Sequence, residues 1–151
     1  IERGQSPGKG LLAVPGGFGK TGFYTDALSE PFLAVIRHFA DRRQPVASVC
    51  VASLALGAAG ALAGRTATVY HQPGGKRRAQ LESYGARFVD QALVIDGNLI
   101  SSTGPGTATE VAFALLTDLT SEANSARIRA LMRVPRPAAA WWSEPQVPVS
   151  S

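Results

Sequence analysis

The sequence predicts an α/β domain built on a mostly parallel sheet with helices on both faces. Three observations predict it. Short apolar, β-branched runs recur at 11–14, 46–49 and 65–70, each ended by turn residues or by a switch to helical pattern. Amphipathic or Ala/Leu-rich stretches of helical length alternate with those runs. The chain has 151 residues, 45% of them hydrophobic and 17% charged, which suits one domain with its own core.

The elements follow in order. Residues 4–10 are polar and glycine-rich and read as a loop. Leu11-Leu12-Ala13-Val14 reads as a buried strand stopped by Pro15-Gly16-Gly17. The stretch 18–28 reads as an irregular connection. Ser29 then has the chemistry of a helix N-cap, with Glu30 and Pro31 in the first turn. Phe32, Leu33, Val35, Ile36, Phe39 and Ala40 give that helix an apolar face, and Arg42-Arg43 suit its C-terminal dipole. His38 falls on its outer surface.

Val46-Ala47-Ser48-Val49 reads as a second buried strand, with Cys50 directly after it and an Ala/Leu-rich helix over 51–62. A third strand over 65–70 and a helix over 76–84 follow, with Gly85 as the C-cap. A short strand at 87–89 comes next. Residues 92–95 and 98–101 read as a hairpin around Asp96-Gly97. Gly104-Pro105-Gly106-Thr107 turns the chain into a helix over 108–119, and Ser121 caps another that runs to about 133. From Pro135 the chain is Pro- and Ala-rich and reads as an extended tail, docked where Trp141-Trp142 meet a groove.

Composition narrows the classes. The longest apolar stretch, 46–62, is broken by Ser48, Ser53, Gly57 and Gly60, so no membrane span is expected. One cysteine cannot close an internal disulfide, and a reducing, cytoplasmic setting is the default. The net charge is +4, but the basic residues are scattered and no aromatics interleave with the densest cluster, Lys76-Arg77-Arg78. A solvated basic helix face is the reading, not a nucleic-acid interface. Motifs for zinc, P-loop nucleotides and dinucleotides are absent, so no metal or cofactor is expected.

In open parallel sheets ligands bind beyond the carboxyl ends of the strands. Pro15-Gly16-Gly17, Cys50, His71 and the Gly104 turn are all expected at that edge. A residue pinned between strand and helix exposes its side chain above the sheet, and the helix N-terminus beneath it favours a thiolate. Cys50 is thus a candidate nucleophile; the competing reading is a small buried core residue. Gly16, Gly17 and Val51 can offer backbone N–H groups to a developing oxyanion, although an ordinary strand-ending turn would also explain the glycines. His71 can move protons or bind substrate, with a structural histidine as the alternative.

Several segments resemble one known family in order and spacing. Leu12-Ala13-Val14-Pro15-Gly16-Gly17 looks like its strand and Pro-Gly-Gly turn, and Ser48-Val49-Cys50 with the helix to Gly64-Arg65 looks like its cysteine elbow. Thr68-Val69-Tyr70-His71 resembles a strand end of the family. The run from Asp96 through Ser101-Ser102-Thr103 to Gly104-Pro105-Gly106-Thr107 resembles its late hairpin and turn. The family is the ThiJ/PfpI superfamily, and the likeness spans about 11–133. It implies a flavodoxin-like sandwich, usually dimeric, and brings Thr103 and Gly104 to the substrate side of the site. It also implies a carboxylate at the end of a first strand as partner of the cysteine. That strand and its helix have no counterpart in 1–10, so a second chain or a removed segment is expected to supply them.

The domain is accordingly placed at 1–134 and the tail at 135–151. The leading function is a cysteine-dependent enzyme, hydrolase-, hydratase- or glyoxalase-like, acting on a small electrophile such as an aldehyde, isonitrile, amide or ester. A redox sensor or stress holdase using Cys50, and a subunit whose site Val51 has closed, are the alternatives. The expected partners are the small-molecule substrate and a homodimer mate or the second chain that supplies the missing strand.

Overall fold

A computed structural model describes residues 10–146. The loop expected over 4–10 lies outside them except for Gly10, as do residues 147–151 of the tail.

Six strands are present among the described residues: β1 (Leu12–Val14), β2 (Val46–Ser48), β3 (Thr66–Ala67), β4 (Arg87–Phe88), β5 (Leu93–Asp96) and β6 (Leu99–Ser102). Four form one sheet in the order β1-β2-β6-β5, with only the β5–β6 hairpin antiparallel. β3 and β4 pair in parallel beside it. The helices are α1 (Phe23–Ala27), α2 (Glu30–Asp41), α3 (Ser53–Ala58), α4 (Arg77–Ser83), α5 (Ala108–Leu119), α6 (Glu122–Leu131) and α7 (Ala139–Ser143).

Alternation along the strands makes two cores. Val46 and Leu99 point to one face and join Leu33, Ile36, Leu54, Leu56, Leu62 and Leu81. Their neighbours Ala47 and Ile100 point to the other and join Leu93, Val111 and Leu115. Helices therefore cover both faces, as the sequence predicts. Beyond the second core, α6 is tied to α5 by Arg129 and Glu110, whose side chains are 11% and 7% exposed, with one Arg129 Nη1–Glu110 Oε1 contact of 2.8 Å.

Ser29 and Ser121 both occupy N-cap positions. Only the Ser121 hydroxyl accepts a helix N–H, from Asn124 at 3.0 Å; the Ser29 hydroxyl donates backwards to the Asp26 carbonyl at 2.7 Å. Val35, expected on the apolar face of α2, is 46% exposed, whereas His38 is at the surface as expected.

Several expectations need correction. The connection over 18–28 is not irregular: a short 3-10 turn at Gly19–Thr21 leads into α1. The third strand keeps only Thr66–Ala67, because the next donors leave the ladder: Thr68 N–H bonds the Ser101 hydroxyl at 2.9 Å and Tyr70 N–H bonds the Cys50 carbonyl at 3.2 Å. The helix after Cys50 opens as a 3-10 turn and stops at Ala58, where Gly60 takes φ +83° and Ala61 N–H closes back on Leu56. The tail is not wholly extended, since Ala138 to Ser143, set between Pro137 and Pro145, winds into α7.

The hairpin turn lies one residue later than Asp96-Gly97. Asp96 pairs with Leu99, leaving Gly97 (φ +59°) and Asn98 as the loop, with glycine first as a type II′ turn requires. Asp96 instead accepts Thr66 N–H at 2.7 Å and meets Arg65, joining the hairpin to β3. Those donors hold its carboxyl below the ordinary range, the Thr66 N–H first.

Candidate functional site at the Cys50 elbow

The parallel register settles which loops meet. Val14 lies beside Ser48, and Ser48 beside Ser101, so the chain leaves β1, β2 and β6 at the same sheet edge. Pro15-Gly16-Gly17, Val49-Cys50 and Thr103-Gly104 are those exits.

Cys50 takes φ +63°, a left-handed conformation that costs a residue with a Cβ about 1–2 kcal/mol. Three backbone bonds hold it there: Val49 N–H to Val14 O (3.2 Å), Ala52 N–H to Val49 O (3.1 Å) and Tyr70 N–H to Cys50 O (3.2 Å). The result lifts the thiol out of the strand and into a cavity of about 750 Å³. Gly16, Gly17, Tyr24, Val51, Tyr70, His71 and Arg77 share that lining.

Gly16 packs directly against the elbow. A methyl group on its Cα would stand 2.8 Å from Cys50 Cβ, 2.9 Å from Val49 O and 3.6 Å from Sγ. Gly17 is glycine for another reason: a side chain there would strike the Phe23 ring at 2.5 Å. Among the described residues neither glycine N–H has a hydrogen-bond acceptor.

Burial pushes the Cys50 thiol above its ordinary pKa. The Val51 N–H and the Arg77 cation both favour the thiolate but do not overcome it. The thiolate expected from the helix N-terminus is therefore only partly supported by its surroundings.

His71 Nδ1 lies 2.8 Å from the Val69 carbonyl, which can only accept, so this nitrogen carries the proton. Nε2 lies 3.1 Å from Asp90 Oδ1, without alignment as a hydrogen bond to the carboxylate as placed. The side chain is 9% exposed and its ring meets Phe88 edge-on. Asp90 Oδ1 also accepts the Gln146 N–H at 2.9 Å, so the tail is anchored behind the histidine.

A family model, that of the DJ-1/PfpI family, matches residues 6–118. The chain belongs to the DJ-1/PfpI family. The isonitrile hydratase of Pseudomonas putida is 40% identical over 108 residues, covering 70% of this chain and 42% of that protein. Protein DJ-1 homolog B of Arabidopsis thaliana is 31% identical over 107 residues, covering 70% of this chain and 23% of that one. Among solved structures, Drosophila melanogaster DJ-1beta superposes with a TM-score of 0.72 at 28% identity, over 83% of this chain and 64% of that chain. A ThiJ/PfpI family protein of Pseudomonas syringae gives 0.68 at 26%, over 85% and 51%. The chain spans about half or less of the length of the curated relatives it matches. Its own architecture is the flavodoxin-like α/β sandwich of these structures.

Within this DJ-1/PfpI site, Cys50, Gly16, Gly17, Val51 and His71 share one cavity. Thr103 and Gly104 do not line it; they border a second cavity of about 270 Å³, which also touches Tyr70, His71, Trp141 and Gln146. Thr103 is buried, and its N–H bonds the Ala92 carbonyl at 3.0 Å. Among the described residues no group of His, Cys, Asp and Glu could hold a metal ion, and no helix is long and apolar enough to cross a membrane.

Sequence reasoning missed three residues. Asp90 follows a two-residue strand and meets a histidine far from it in sequence. Tyr24 sits in α1, inside the stretch 18–28 whose sequence reads as an irregular connection. Arg77 does not belong to the solvated basic face that the sequence suggests: its side chain turns into the cavity, half-buried, with the guanidinium carbon 4.5 Å from the centre of the Tyr24 ring. The signal was present. Arg78 has Glu82 four residues on as an ion-pair partner, whereas Arg77 has Leu81.

Proposed function

We propose that this chain carries the cysteine centre of an enzyme that acts on a small electrophilic carbon, by addition of the Cys50 sulfur. The observation that carries the proposal is the elbow: a strained Cys50 at the head of a cavity, with Gly16 packed so close that a Cβ on it would meet the Cys50 Cβ. The named activities of relatives, an isonitrile hydratase and deglycases among them, agree in class.

In the proposed step the sulfur forms a bond to the substrate carbon, and a π electron pair of that carbon moves to its oxygen or nitrogen. The thiol proton leaves for the substrate heteroatom or for water, so charge is balanced. Gly16, Gly17 and Val51 N–H groups receive an oxyanion where the substrate forms one. Val51 N–H favours the thiolate in the resting site and is released once the sulfur is alkylated. The His71–Asp90 pair moves the proton that completes the reaction, with Asp90 positioning the ring. Thr103 and Gly104 would reach only the part of a substrate that extends past His71 into the second cavity.

The open cavity argues against a site closed by Val51, which is buried below the thiol.

The partner reading rests on β1. Among the described residues it lies at the edge of its sheet and pairs only with β2, beside an apolar cavity of about 330 Å³ that includes Ala13, Val14, Val111 and Leu115. A homodimer mate or a second chain adding a strand there would cover both. Light scattering reads this directly: a mass above that of one chain supports it, and a stable monomer with full activity opposes it.

The catalytic proposal is tested with Cys50→Ala against aldehyde, isonitrile, amide and ester substrates. Turnover accepted by the native protein should vanish while circular dichroism is unchanged. Undiminished turnover in the variant refutes it.

A further inference from the structure

Among the described residues, the charged side chains that line the cavity above Cys50 are two cations, Lys76 and Arg77. Among the described residues neither cation has an acid partner, although Arg37, Arg65, Arg78 and Arg129 all do. Arg77 is nonetheless held in place, by neutral groups only. Its Nη1 donates to Gln80 Oε1 at 3.0 Å, and the Tyr24 ring supports one face of the guanidinium. This arrangement fixes the fork without neutralising it and leaves its other N–H donors for a ligand. A half-buried cation facing apolar walls attracts an anion more strongly than a solvated one. Arg77 and Cys50 line the same cavity.

The geometry points to Arg77, with Lys76 at the rim, as the site that binds a carboxylate on the substrate whose reacting carbon meets Cys50. The substrate class is thus a small electrophile that bears a carboxylate, in preference to its neutral analogue. This rests on the reading of Cys50 as the nucleophile.

Two alkylating reagents test it without a known substrate. Iodoacetate and iodoacetamide share the reacting carbon and the leaving group and differ in the carboxylate. With either, a sulfur–carbon bond forms as the carbon–iodine bond breaks, iodide departs, and the thiol proton passes to buffer. The chain has one cysteine, so intact mass reports Cys50 alone. Native protein should react about tenfold faster with iodoacetate, the factor equivalent to one charge-assisted contact. Added salt should lower that preference. Arg77→Gln should abolish it, and Arg77→Lys should keep part of it. The iodoacetamide rate in each variant controls for folding and for thiol pKa. Equal rates in the native protein, or a ratio unmoved by Arg77→Gln, overturn the carboxylate site and leave the nucleophile standing. Failure of both reagents to label the native protein overturns the nucleophile and this inference with it.

Discussion

Gly16 and Cys50 are packed so closely that a Cβ on the glycine would fall 2.8 Å from the cysteine Cβ. The contact is backbone against elbow, so neither side can step aside by changing a rotamer. It ties the end of β1 to the thiol more directly than any side-chain hydrogen bond does.

Gly16→Ala therefore forces the elbow or the Pro-Gly-Gly turn to shift. The expected result is a loss of about 1–3 kcal/mol in stability by chemical denaturation, as for other overpacked sites. Iodoacetamide labelling of Cys50 should slow in the same variant. Gly22→Ala does not test this contact, since Gly22 needs its positive φ but has open space at Cβ.

The left-handed backbone at Cys50 makes stability and reactivity compete. Glycine adopts that conformation freely. Cys50→Gly should thus be more stable than Cys50→Ala by about 1 kcal/mol, against the opposite order expected at an ordinary helical position. Thermal denaturation of the two variants measures the difference.

Burial raises the Cys50 pKa above the ordinary 9.0, so at neutral pH less of it is thiolate than in a free thiol. The rate of alkylation by iodoacetamide should rise with pH through a midpoint above that value. Because the Arg77 cation pulls the other way, Arg77→Gln should move the midpoint further up. A pH–rate series on both proteins reads the sign.

Glu110 and Arg129 pin α5 to α6 from a buried position, and Arg129 also donates to the Pro135 carbonyl at 3.1 Å. Glu110→Ala would leave a buried guanidinium unpaired. The expected cost is about 3–5 kcal/mol in chemical denaturation, far above that of an exposed pair such as Arg78–Glu82. The iodoacetamide rate at Cys50 should change little in the protein that remains folded.

Much of this site was legible because its residues sit where local pattern changes. Cys50 follows an apolar strand and precedes an Ala/Leu helix, and Gly16-Gly17 stop another strand. The ordering of parallel strands then fixes a shared edge. Asp90 and Arg77 were not legible in this way. Asp90 acquires its role only by meeting His71 across β3 and β4, a tertiary contact with no spacing rule. Arg77 lies in a run of basic residues, and what sets it apart from Arg78 is only the residue four positions on, Leu81 in place of Glu82. The third strand was overlong for a related reason: Thr68 and Tyr70 have strand chemistry, but their N–H groups are claimed by Ser101 and Cys50.

The central claim is that the sulfur of Cys50 does the chemistry. Its most direct measurement is residual turnover plotted against the fraction of chains alkylated, since one cysteine makes labelled fraction and modified site the same quantity. Activity should fall linearly and reach zero at one label per chain. Full labelling with turnover retained would contradict it.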